Sequence, residues 1–177
     1  HWRVNGRRLF IKGVAIGPHD RYLGAVDPDR FERDLRLARD AGFNMVRVQG
    51  HVSRPELYDA ADGLGLLVWQ DLPLVGSYTT RTRAVARAVA RAAVDELGHH
   101  PSLALWCTHD EPNGPPLPVP ERNATNAARS IGRRVGRHLA PSWNRSVLDP
   151  LLRRELRSAD ATRPVLAHSG HLPGPFN

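Results

Sequence analysis

The apolar run Leu103-Ala104-Leu105-Trp106-Cys107 empties through Thr108-His109 into two adjacent carboxylates, Asp110 and Glu111, and then into Pro112. A run of that length reads as a buried strand, and a proline, which has no N–H, cannot continue its ladder. Glu111 therefore stands where a parallel strand ends, the side on which α/β folds gather their ligand-binding groups. It ranks first among candidate catalytic residues. The alternative is that Glu111 only caps the following loop through hydrogen bonds.

Other polar residues recur at strand ends. Gln70-Asp71 follows the run Leu66-Leu67-Val68-Trp69, Asp20 follows the first apolar segment, and Arg47, Gln49 and His51 lie in or just beyond Asn44 to Gln49. The guanidinium fork of Arg47 suits carboxylate orientation, with an ordinary internal ion pair as the alternative. His51 is placed to bond a hydroxyl group or to sit in solvent. His168 and Ser169 are weaker candidates. Trp69 and Trp106 interrupt buried strands and read as core, ring stacking on a ligand being the minority reading. No metal site is expected, since His99, His100 and His109 lack the spacing of a helical zinc pair and Cys107 is the single cysteine.

Regular elements must carry these residues. Asn5-Gly6 is a two-residue hairpin turn, because both residues accept positive φ. Leu9 to Ile16 reads as the first buried strand. Asp27 offers an N-cap and Pro28 a first helical position for a helix that Gly42 stops. Ser53 and Glu56 have the spacing of a capping box for a second helix ending near Gly63 or Gly65. An alanine-rich third helix runs from about Thr82 to Leu97. Beyond Glu111, Pro112 to Pro120 reads as a surface loop, Ala127 to Leu139 as a helix, Asp149-Pro150 as the opening of another, and Pro164 to His168 as a fifth strand.

The 177 residues, 41% of them hydrophobic and 24% charged, suffice for one core. No segment approaches the roughly 18 to 20 apolar residues of a membrane span, and the N-terminus carries no signal-peptide h-region, so no membrane role is expected and the compartment is left open. The chain lacks an initiator methionine and reads as a segment of a longer protein. The formal charge of +7 raises the question of a polyanionic partner. Its arginines, such as Arg81, Arg83, Arg87 and Arg91, are spread over helix faces, which favours solvated surfaces over a nucleic-acid groove.

Alternating strands and helices argue for a parallel sheet with right-handed crossovers. Gly13-Val14-Ala15-Ile16-Gly17-Pro18 has neither dinucleotide nor P-loop spacing, which weighs against a doubly wound sheet and for part of an eight-stranded barrel. Four segments then carry a family likeness: Phe10 to Asp20, Ala41 to Gly50, Leu67 to Pro73 and His100 to Cys107 resemble successive barrel strands of family 2 glycoside hydrolases, nearest the β-mannosidase-like branch. Asp160 to Val165 resembles the approach to strand five. The fold class expected is α/β, a (β/α)8 TIM barrel truncated to about its first five strands. Residues 1–177 form one partial barrel domain, with a hairpin lead-in over 1–8 and the strands and helices over 9–177.

The resemblance implies a retaining glycosidase acting on β-linked sugars of the mannoside, galactoside or glucuronide class in its full-length context, with no metal or organic cofactor. Glu111 matches the family acid/base. Asp20, Arg47, His51, Asp71 and Asp110 are carried over as substrate-binding candidates. Two positions depart from the family pattern: Asp110 stands where asparagine is usual, and Gln49 where tryptophan often is. The family nucleophile, a glutamate at the end of strand seven, has no counterpart in these residues, so the chain alone is expected to be inactive. The alternative is a degenerate, non-catalytic carbohydrate-binding homologue. The expected partner is a carbohydrate, and the oligomeric state is left open.

Overall fold

The computed structural model describes residues 2–110 and 142–169. A short antiparallel hairpin, β1 (Trp2–Val4) and β2 (Arg7–Leu9), precedes a parallel sheet of β3 (Gly13–Ile16), β4 (Met45–Val48), β5 (Leu67–Asp71), β6 (Leu103–Cys107) and β7 (Val165–Leu166). The hairpin turns at Asn5 and Gly6 with φ of 49° and 78°, the positive pair that a type I′ turn needs. In the parallel sheet each strand pairs with the next in chain order, without reversal. A doubly wound sheet reverses at its switch point, whereas a barrel arc does not. The described residues form a partial barrel of five strands.

Helices α1 (Pro28–Asp40), α2 (Pro55–Leu64), α3 (Arg83–Leu97) and α4 (Asp149–Ala159) cover one face of the sheet. Asp27 caps α1 by accepting from the Asp29 N–H at 3.2 Å, and Gly42 leaves the helix at φ 85°, as the cap and stop signals predict. The core between the layers includes Val46, Val48, Val68 and Trp106 from the strands and Phe31, Leu35, Leu57, Leu97, Leu152 and Leu156 from the helices. Because strand side chains alternate, Arg47, Trp69, Asp71, Leu105 and Cys107 point to the opposite face, the barrel interior. Fully buried Trp106 belongs to the helix-facing core, where its indole N–H donates to Asp160 Oδ2 at 2.9 Å.

Three sequence expectations need correction. The segment Leu9 to Ile16 is not one buried strand. It divides into β2 and β3, Phe10 between them is 80% exposed, and β3 alternates between half-buried and exposed residues. The reason is its edge position: among the described strands β3 pairs only with β4. The capping box also does not form. Arg54 is the N-cap of α2, with no side-chain cap bond. Glu56 instead pairs with Arg54, which also donates to the Val26 carbonyl at 2.9 Å. Pro55 at the first helical position leaves one fewer N–H to satisfy. Finally, Trp69 is not core in the way Trp106 is, as its site contacts show below. The loop over 112–120, the helix over 127–139 and Glu111 itself lie outside the described residues.

Arg87 and Arg91 on α3 converge on Glu155 of α4, at 2.7 and 2.9 Å from their Nε atoms, and tie two neighbouring helices together.

Candidate functional site

Arg47, on the interior face of β4, lies beside Trp69 of β5 in register, and its guanidinium carbon sits 4.9 Å from the indole ring centre. Two residues on, Asp71 ends β5 with no exposed surface. Arg47 grips it from Nε at 3.0 Å and from Nη2 at 2.6 Å, and Trp69 Nε1 donates to it at 2.8 Å. The Gly50 N–H adds a fourth donation, at 3.2 Å. Trp69 is therefore half-buried in the polar site, not packed in the core. Gly50 is required here: its φ is 66°, and a Cβ would stand 2.5 Å from a Val75 methyl group.

Asp110 completes the cluster. Arg47 Nη2 donates to its Oδ1 at 2.8 Å, Ser169 Oγ to the same oxygen at 2.6 Å, and Gln49 Nε2 to Oδ2 at 2.9 Å. Its main chain is fixed as well: its N–H donates to the Leu74 carbonyl at 2.8 Å and its carbonyl accepts from Gly76 N–H at 3.1 Å. The loop after β5 thus extends the sheet alongside the segment after β6. On the other flank, Thr108 N–H reaches the Leu166 carbonyl and Ser169 N–H the His109 carbonyl, at 3.1 and 2.9 Å.

One cation between two carboxylates shapes the electrostatics. Burial pushes Asp71 above the usual carboxylate range, with Arg47 only partly opposing it. For Asp110 burial is outweighed by the hydrogen bonds from Ser169, Gln49 and Arg47, which hold its carboxyl below that range. Arg47 loses hydration too, but its two carboxylates more than compensate and raise its pKa. With both carboxylates ionised, the cluster of Arg47, Asp71 and Asp110 carries a net charge of minus one. Desolvation by burial pushes the Cys107 thiol up to about 12, so this interior cysteine is a packing residue and not a nucleophile.

Of the residues picked out by sequence, the structure joins Arg47, Asp71 and Asp110 directly. Asp20 is exposed and accepts from the Tyr22 N–H at 2.9 Å, in its own turn. His51 is 6% exposed, its Nδ1–H donates to the Gln49 carbonyl at 3.0 Å, and its Nε2 is buried without a hydrogen-bond partner. Among the described residues no hydrogen bond links either side chain to Arg47. Gln49 and Ser169 contribute more than sequence suggested, both as donors to Asp110. His109, in sequence a neighbour of the carboxylates without metal-ligand spacing, is fully buried and bonded at both ring nitrogens. Its partner Asp149 read as a helix opening.

Among the described residues, Asp59, Asp62 and His100 bring donor atoms within 4.8 Å of one another, close enough for a metal ion. His100 Nδ1 and Asp62 Oδ2 already bond at 2.7 Å, and Asp62 Oδ1 accepts from Ser102 N–H at 2.8 Å. The group ties α2 to the start of β6, at the opposite end of the strands from Asp110.

The family model for the TIM barrel domain of family 2 glycosyl hydrolases matches residues 1–171. Beta-mannosidase A of Aspergillus clavatus is 33% identical over 127 residues, covering 69% of this chain and 14% of that protein. A putative beta-glucuronidase of Formosa agariphila is 30% identical over 115 residues, 61% of this chain and 14% of its own length. The solved beta-D-mannosidase of Dictyoglomus thermophilum superposes with a TM-score of 0.66 at 24% identity, over 93% of this chain and 19% of that one. The chain thus spans about 14% of the length of these curated relatives.

Proposed function

The chain belongs to the family 2 glycosyl hydrolases, within their TIM barrel domain, and from that premise we propose that it forms part of a retaining β-glycosidase whose proton donor is Glu111. The observation that carries this reading is the fixation of Asp110, the residue directly before Glu111. Main-chain bonds to the Leu74 carbonyl and from the Gly76 N–H, and bonds to its carboxylate from Arg47, Gln49 and Ser169, hold it at the carboxyl ends of the strands. A reacting group needs such a rigid support.

In the proposed reaction Glu111 protonates the departing glycosidic oxygen while a second carboxylate, about 5 to 5.5 Å away, attacks the anomeric carbon. Glu111, now ionised, next takes a proton from the water that releases the sugar. The attacking carboxylate is proposed to come from the full-length context. Asp71, with no exposed surface, acts by holding Arg47. Exposed Asp20 and the free Nε2 of His51 are proposed contacts for sugar hydroxyls.

The negative charge of Asp110 raises the pKa of Glu111 and extends the protonated acid to higher pH. In Asp110→Asn the alkaline limb of the kcat/KM profile therefore moves to lower pH. Gln49 can turn its carboxamide to accept from the new amide, which preserves the network. An unmoved limb overturns this role for Asp110.

The reaction itself is tested with the full-length protein on aryl β-mannoside, β-galactoside and β-glucuronide, with proton NMR following the first sugar released. The β anomer is expected first. A first-formed α anomer overturns retention, and sugar binding without turnover of any of the three favours a carbohydrate-binding homologue.

A further inference from the structure

His109, two residues before Glu111, is fully buried, yet both its ring nitrogens are bonded. Nε2 faces the Gly76 carbonyl at 2.7 Å, and Nδ1 faces Asp149 Oδ1 at 2.8 Å. A carbonyl can only accept, so Nε2 carries a hydrogen. A second proton lies between Nδ1 and the Asp149 carboxylate. The same bonds form whether that proton is assigned to the ring or to the carboxyl group, so the contact does not depend on the assignment.

The two partners lie on different elements. Gly76 belongs to the loop after β5, the loop that also pairs with the main chain of Asp110. Asp149 opens α4, directly after a π-helical turn over Asn144–Leu148. A second link joins the same elements: Tyr78 N–H donates to Asn144 Oδ1 at 3.1 Å, and the Tyr78 ring lies 5.6 Å from the His109 ring. Backbone pairing alone would fix the β5 loop and the segment after β6 as two adjoining strands. His109 pins that pair to the helix layer, 40 residues away in the chain.

We propose that His109 is a positioning residue, a buried two-ended clamp between Gly76 and Asp149 that holds Asp110 at the carboxyl end of β6 and through it positions the acid that follows in sequence. The proposal rests on Glu111 acting as the proton donor. Removing the imidazole leaves a half-buried carbonyl and a buried carboxylate without donors, and the segment shifts to recover them. Misplacement of the acid by about 1 Å is enough to cost about 10²-fold.

Proton donation matters in proportion to how poor the leaving group is, which separates positioning from general destabilisation. In the full-length protein, His109→Phe is expected to lower kcat/KM for an alkyl β-glycoside by about 10²-fold, with little change for a dinitrophenyl β-glycoside, whose leaving group departs unprotonated. Asp149→Ala should reproduce this pattern. Asp149→Asn, whose carboxamide still bonds Nδ1, should fall less. The variants are compared as folded, soluble protein, with Glu111→Gln as reference. Equal losses on both substrates for His109→Phe and Asp149→Ala, or no loss, overturn the clamp if Glu111→Gln shows the leaving-group contrast. If Glu111→Gln lacks that contrast, the acid/base reading itself falls and the clamp with it.

Discussion

Glu111→Ala in the full-length protein is expected to lower kcat/KM for alkyl β-glycosides by about 10² to 10⁴-fold, the usual contribution of a positioned general acid. Two further effects separate loss of acid catalysis from loss of structure. The alkaline limb of the pH profile, which reports deprotonation of the acid, disappears. With a dinitrophenyl substrate, whose leaving group departs without protonation, breakdown of the glycosyl-enzyme becomes slow, and added azide accelerates turnover, because azide attacks the anomeric carbon without needing a base. A loss below about tenfold together with a surviving alkaline limb shows that another group donates the proton.

Local signals made much of the fold readable. The Asn5-Gly6 turn, the Asp27 cap and the Gly42 stop act within a few residues, and the structure places each where its chemistry requires. The capping box failed because Arg54 captured Glu56 and left Ser53 Oγ buried without a partner. For the site, residue type at the strand ends was legible but partnership was not. Arg47, Asp71 and Asp110 belong to three strand ends separated by 24 and 63 residues from Arg47. They meet because parallel pairing puts Arg47 opposite Trp69 and the pleat turns Arg47 and Asp71 to the interior. Ser169 and Asp149 are similarly remote, and neither stands in a motif that would announce its hydrogen bond. Trp69 resembled a core residue because a strand that is apolar on both faces hides which face is which.

The cluster that holds the site together is also its main structural liability. Arg47→Met removes the one cation between two carboxylates, one of them without exposed surface, and breaking a buried pair of this kind costs about 3 to 5 kcal/mol. The cost depends on pH in a definite direction. Burial already raises the folded-state pKa of Asp71 despite Arg47, and removing Arg47 raises it further. A carboxyl whose folded pKa exceeds its unfolded value binds more protons when folded, so stability falls as pH rises through that interval. Arg47→Met should therefore melt well below the parent at neutral pH and recover part of the difference in mild acid. Asp110 acts in the same direction, because part of the depression of its folded pKa comes from Arg47, and losing that part costs stability only where Asp110 is ionised. The buried Asp71 dominates, so Arg47→Met/Asp71→Asn should regain stability at neutral pH, whereas Arg47→Met/Asp110→Asn should regain less. Calorimetry of the full-length variants across this pH range decides the matter. A single variant within about 1 °C of the parent, or a deficit that grows in acid, shows that Arg47 is not what compensates these carboxylates.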